Sequence, residues 1–132
     1  MKVQKWIIMI VTVTLAVFGL GMGIWTASDP HAMFDIAGLT LDGTGFWLIN
    51  GLFAARNAAF GILFLVALFF HRNKQVFLTI YIARFALDIF DTLVTATAGM
   101  LTLQRFFEQA MFLVPVMIVL FLLTKYDPKT NN

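Results

Sequence analysis

The sequence contains no cysteine and few charged residues. Without cysteine the chain has no disulfide, no thiolate metal ligand and no cysteine nucleophile. Charged residues make up only 12% of the 132 residues, whereas hydrophobic residues make up 61%. The net charge is +2 and no run of Lys and Arg is present, so we expect no nucleic-acid partner. A soluble fold of this length could not bury so much apolar surface, which predicts that the lipid bilayer covers it.

Four long apolar segments account for most of the chain. A helix needs about 20 mostly apolar residues to cross a hydrocarbon core about 30 Å thick. The segments 6–27, 46–70, 76–98 and 107–124 satisfy this requirement, and turn residues separate them. None of them alternates apolar with polar residues as barrel strands do. We therefore predict an all-α, integral membrane four-helix bundle that forms a single domain over residues 1–132.

The basic residues outside these segments predict the orientation of the bundle. Basic residues collect on the cytoplasmic side of membrane proteins. With four spans, six of the basic residues lie on the side of the termini and of the second loop: Lys2, Lys5, Arg72, Lys74, Lys125 and Lys129. The opposite side has the single basic residue Arg105, together with Asp29, Asp35 and Asp42. Both termini are therefore predicted to be cytoplasmic.

Four charged residues of the predicted spans lie at similar depths near the middle of the bilayer. They are Arg56 in the second span and Arg84, Asp88 and Asp91 in the third. A charge at this depth is costly unless it is paired or hydrated, and such residues often have a function. At 100° per residue, the three charged residues of the third span lie within about 60° of each other, on one stripe with Thr95. This spacing predicts a polar face that points into the bundle.

The second span carries a further polar stripe. Asn50, Ala54, Asn57 and Gly61 follow the spacing of a helix face that contacts a neighbour. Arg56 lies about 100° away from this stripe, so it is predicted to face a different neighbour. The candidate ligand-binding residues are Arg56, Arg84, Asp88, Asp91, Asn50 and Asn57.

Two interpretations of these charges remain open. Two arginines and two aspartates sum to zero, as in a polar network that only fixes helix packing. Arg84 and Asp88 are four residues apart and can pair within one helix. The nearest basic partner for Asp91 would then be Arg56 across a helix interface. If Arg56 does not reach Asp91, this carboxylate could hold a proton and face a cavity that opens outward.

We expect neither a metal nor a cofactor. His31 and His71 fall on opposite sides of the predicted membrane, so they cannot share a metal or a haem. Gly19 and Gly23 form a small-xxx-small pair within an apolar span rather than a phosphate loop. This spacing lets another helix approach closely, and a further copy of the chain is among the expected partners.

The sequence resembles small four-helix bacterial membrane families of unknown function that are loosely similar to the DoxX-like group. The resemblance is carried by Pro30 after the first helix, by Arg56-Asn57 with Gly61 in the second, and by the acidic residues of the third. It implies the same four-helix fold in the bacterial inner membrane and supplies no substrate. Small multidrug transporters differ because their essential carboxylate is in the first helix. Quinone-reducing four-helix oxidoreductases differ because they need paired cysteines.

The leading functional prediction is binding or transport of a small amphiphilic or ionic ligand at the cluster of Arg and Asp residues. One alternative is an intramembrane enzyme in which an Asp acts as general acid to isomerise or cyclise a lipophilic substrate. Another is an accessory subunit whose polar residues only fix helix packing. The expected partners are the lipid bilayer, a small lipophilic or ionic ligand, and further copies of the chain.

Overall fold

The computed structural model describes residues 2–29, 31, 44–97, 99 and 102–127. Over these residues the chain forms four helices: α1 Lys2–Ser28, α2 Thr44–Phe69, α3 Lys74–Thr97 and α4 Leu103–Lys125. The predicted all-α chain with four long helices is confirmed. The helices begin two to four residues before the predicted spans, because polar residues such as Lys and Gln propagate a helix well although they are not apolar. Asp35 and Asp42 of the orientation argument lie outside the described residues.

Local signals mark both ends of α3. The Asn73 side-chain Oδ1 accepts hydrogen bonds from the backbone N–H groups of Gln75 at 2.8 Å and Val76 at 3.1 Å. This is the N-cap arrangement, which satisfies amide groups that have no partner inside the helix. Beyond the other end, Gly99 has φ 69° and donates from its backbone N–H to Ala96 O at 3.0 Å. Glycine is suited to this left-handed conformation after a helix.

The chain divides into two compact units. Unit 1 comprises Met1–Thr12 with Ala67–Asn132, and unit 2 comprises Val13–Val66. Unit 1 therefore holds α3, α4 and the start of α1, and unit 2 holds the rest of α1 and most of α2. The single domain over residues 1–132 stays a prediction.

The core of unit 1 forms where α3 packs against α4. Its buried side chains recur at intervals of three and four residues, as expected for one face of each helix. They include Phe77, Ile80 and Tyr81 of α3 and Val116, Val119 and Leu123 of α4. Thr12 is also fully buried, and its Oγ1 lies 2.8 Å from the Tyr81 Oη. Since the Thr12 hydroxyl donates its proton to Ile8 O at 2.6 Å, Tyr81 is the donor to Thr12.

In unit 2, α1 and α2 approach so closely that glycine is needed at their contact. A Cβ atom added at Gly61 would lie 2.7 Å from the backbone N of Leu20 and 2.9 Å from the backbone O of Ala16. A Cβ atom added at Gly23 would lie 2.9 Å from the backbone O of Ala54. Neither backbone can move aside as a flexible side chain would. The small-xxx-small spacing in α1 therefore serves close packing of helices within the chain itself.

Three of the helices are long and apolar enough to cross a membrane. The candidate spans are Val3–Ser28, Asn50–Phe69 and Phe106–Lys125, with mean hydropathy of 2.4, 2.0 and 2.2. Helix α3 has 24 residues, enough to span, but it is not among the three. Every stretch of 18 consecutive residues in α3 contains Arg84, Asp88 and Asp91, which is more charge than such a span normally carries.

Candidate functional site

The central feature of the candidate site is an ion pair on α3. The Arg84 guanidinium contacts the Asp88 carboxylate through Nη2 to Oδ1 at 2.9 Å and through Nε to Oδ2 at 3.1 Å. Two parallel hydrogen bonds of this kind fix both the distance and the orientation of the pair. The side chains are only 13% and 12% exposed. A predicted contact, Arg84 with Asp88 four residues later, is thereby confirmed.

The polar face of α3 continues beyond this ion pair. It consists of Arg84, Asp88, Asp91 and Thr95, all of them half-buried. The Thr95 hydroxyl donates to the backbone O of Asp91 at 2.7 Å. Threonine in a helix commonly satisfies its hydroxyl in this way, on the carbonyl four residues earlier. The hydroxyl oxygen can still accept a hydrogen bond from another helix.

Helix α4 supplies that donor through Gln109, a residue that the sequence analysis did not select. Its Nε2 lies 3.5 Å from the Thr95 Oγ1, and this long contact joins α4 to the polar face of α3. The Gln109 Oε1 is buried and has no hydrogen-bond partner among the described residues. The sequence offered one signal for Gln109, an amide residue at the start of an apolar segment. It drew less attention than the charged Glu108 next to it.

The two candidate asparagines of α2 belong to unit 2, where both are buried. Asn50 is 3% exposed and its Nδ2 donates to the backbone O of Thr26 at 2.9 Å, which ties α2 to α1. Asn57 is 6% exposed and its Nδ2 donates to the backbone O of Phe53 on its own helix. The predicted stripe of Asn50, Ala54, Asn57 and Gly61 is buried along its whole length. These asparagines therefore contribute to the packing of unit 2.

Arg56 also belongs to unit 2 and lies off the buried stripe, as its angular position predicted. Its side chain is half-buried, and its guanidinium carbon lies 5.1 Å from the centre of the Phe53 ring. A cation over an aromatic face at this distance is stabilised by the ring quadrupole. The interaction between Arg56 and Asp91, which lies in unit 1, stays a prediction.

The chemistry available on the polar face of α3 is ionic. Arg84 and Asp88 offer one fixed positive and one fixed negative group, and Asp91 adds a second carboxylate one turn further along the helix. A lipophilic cation can pair with a carboxylate of this face, and a lipophilic anion can pair with the Arg84 guanidinium. Among the described residues, no group of three or more His, Asp or Glu side chains is placed to hold a metal ion.

Comparisons of the chain with protein-family models, with curated proteins and with solved structures gave no match.

Proposed function

We propose that the chain is a four-span protein of the bacterial inner membrane that binds or carries a small amphiphilic ion at the polar face of α3. Both termini lie in the cytoplasm in this proposal. The resemblance to the DoxX-like group supports the four-helix fold only and not the binding role. The intramembrane enzyme and the accessory subunit are the rival functions.

Exposed apolar side chains support a location in the membrane. Large examples occur on every helix, among them Trp6, Phe69, Phe90 and Phe121, each more than 60% exposed. Monomeric soluble proteins rarely expose continuous apolar surface of this kind, because water would drive such surfaces together. Lipid chains cover it without that penalty. The basic residues, six on one predicted side against one on the other, support the orientation.

The single observation that carries the proposed binding role is the shielded ion pair of Arg84 and Asp88. Both partners are on one helix, with the basic residue first, which is the less favourable order for a pair four residues apart. This pair thus contributes little to the stability of α3 itself. Holding two charges away from water is costly. A ligand ion that approaches one of the two charges, while Arg84 and Asp88 stay in contact, adds a charge contact that offsets part of that cost.

Binding of two lipophilic ions to the full chain in lipid nanodiscs tests the proposal. The probes are radiolabelled tetraphenylphosphonium, a cation, and radiolabelled decanoate, an anion. We expect one of them to bind saturably. Asp88→Asn should weaken binding of the cation, or Arg84→Gln binding of the anion, by at least about tenfold, the effect of one lost charge contact. The exposed residues Glu108 and Arg72 provide the matched controls, and Glu108→Gln and Arg72→Gln should bind as the unchanged chain does.

A charge exchange separates ligand binding from a purely structural role. Arg84→Asp combined with Asp88→Arg keeps the ion pair on α3 and places the acidic residue first, the more favourable order. We expect this variant to keep its thermal stability and to lose binding of the probe, because the charges have changed places. If neither probe binds saturably to the unchanged chain, or if the exchanged variant binds equally well, the accessory role would replace the proposal.

A further inference from the structure

Unit 2 contains a groove that the ion-binding proposal does not use. Its volume is about 490 Å³, which is within the size of pockets that hold small ligands, roughly 300–1,000 Å³. Helix α1 contributes Gly23, Ile24 and Ala27 to its lining, and α2 contributes residues between Asn50 and Ala58. All of the α2 residues in the lining except Asn50 are glycine or alanine. The described walls are therefore apolar, with one amide side chain at one end.

That amide has an unused acceptor. The Nδ2 of Asn50 donates to the Thr26 backbone O, but the Asn50 Oδ1 is buried and has no hydrogen-bond partner among the described residues. The residue is 3% exposed and thus almost entirely buried. A buried oxygen without a donor is unfavourable by roughly 1–3 kcal/mol, so a ligand that supplies a donor gains affinity. The amide oxygen can accept a hydrogen bond but cannot donate one. The group of the ligand that contacts it must therefore be an O–H or N–H donor.

The far side of the groove is open. Gly51 and Ala55 line it and are both exposed, and a Cβ atom added at Gly51 would meet nothing within 4 Å. From Asn50 to Ala58 the groove follows α2 for about 12 Å, at 1.5 Å per residue. Among the described residues that line it, none has a charged side chain. An elongated, uncharged and largely apolar molecule fits these walls.

We infer that this groove binds a long-chain amphiphile whose uncharged hydroxyl group donates to the Asn50 Oδ1 while its hydrocarbon chain lies along Gly51, Ala55 and Ala58. Asn50 donates to the backbone O of Thr26, which lies two residues before the end of the candidate span Val3–Ser28. The amide is thus level with the end of that α1 span, at the depth where the hydroxyl groups of membrane lipids lie. The chain of the amphiphile then points toward the middle of the bilayer.

Photolabelling with a matched pair of probes tests this inference on the full chain in nanodiscs. The probes are a diazirine derivative of 1-hexadecanol and its methyl ether, which has the same chain but no donor. We expect the alcohol to label residues 50–58 saturably, and the ether to label them at least about fivefold less, as the loss of one hydrogen bond predicts. Asn50→Leu should remove the difference between the two probes.

Two exposed alanines keep the test independent of any effect of Asn50 on folding. Ala55→Phe fills the groove and should lower labelling by the alcohol at least tenfold. Ala59→Phe, on the same helix but outside the lining, should leave it within twofold. Equal labelling by alcohol and ether, or labelling that Ala55→Phe does not change, would overturn the inference. Spontaneous disulfide-linked dimers of Gly51→Cys would overturn it too, since a second copy would then cover the groove.

Discussion

Replacing Gly61 by alanine is expected to be strongly destabilising. The added Cβ atom would lie 2.7 Å from the backbone N of Leu20 and 2.9 Å from the backbone O of Ala16, so α1 and α2 must separate. Overpacking of this kind costs about 1–3 kcal/mol, and the upper end applies because the contact is with backbone atoms. The free energy of unfolding, measured by titration of the protein in mixed micelles with SDS and followed by circular dichroism, should fall by about 3 kcal/mol.

Gly21→Ala is the matched control for this substitution. Gly21 is exposed on α1, and a Cβ atom added there would meet nothing within 4 Å. Alanine is the better helix former by about 1 kcal/mol, so the control should leave the free energy of unfolding unchanged or raise it slightly. Equal effects of Gly61→Ala and Gly21→Ala would show that α1 and α2 do not pack through Gly61.

Arg84→Ala is expected to lower the free energy of unfolding by about 3 kcal/mol. The substitution removes the basic partner of Asp88, whose side chain is only 12% exposed in the pair, and a shielded charge without its partner is costly. Arg72→Ala serves as the control, because Arg72 is exposed after α2. Both variants can be compared by the same SDS titration.

The double substitution Arg84→Ala with Asp88→Ala completes the cycle. Once both charges are gone, no charge is left without its partner, so most of the stability should return. A loss for Arg84→Ala no larger than that for Arg72→Ala would mean that water reaches the Arg84–Asp88 pair. In that case the pair would not provide the shielded charges that the proposed ion binding needs.

The sequence predicted the helices and the contacts inside them well, because both depend on local periodicity. The spacing of Asn50, Ala54, Asn57 and Gly61 predicted a face that the structure buries. The four-residue separation of Arg84 and Asp88 predicted their ion pair. The first turns of the helices were missed, because the search for apolar runs passes over polar residues such as Lys2 and Gln104 that continue a helix.

Contacts between distant parts of the chain were less accessible from the sequence. Thr12 and Tyr81 are 69 residues apart, and nothing in their local patterns indicated their hydrogen bond. Gln109 was overlooked for the same reason, since only the packing of α4 on α3 brings it to Thr95. The spacing of Asn50 predicted a buried face of α2 but not the contact that this residue makes. In the structure its Nδ2 donates to the backbone of α1 and so joins the two helices.

Whether α3 crosses the membrane is the most direct test of the account, since the ion pair lies inside the bilayer only if it does. The chain has no native cysteine, so single cysteines at Gln75, in the first turn of α3, and at Thr102, beyond its end, report their own exposure. In intact cells we predict that Thr102→Cys reacts with a membrane-impermeant maleimide and that Gln75→Cys reacts only with a permeant one. Reaction of both cysteines from the same side would contradict the account.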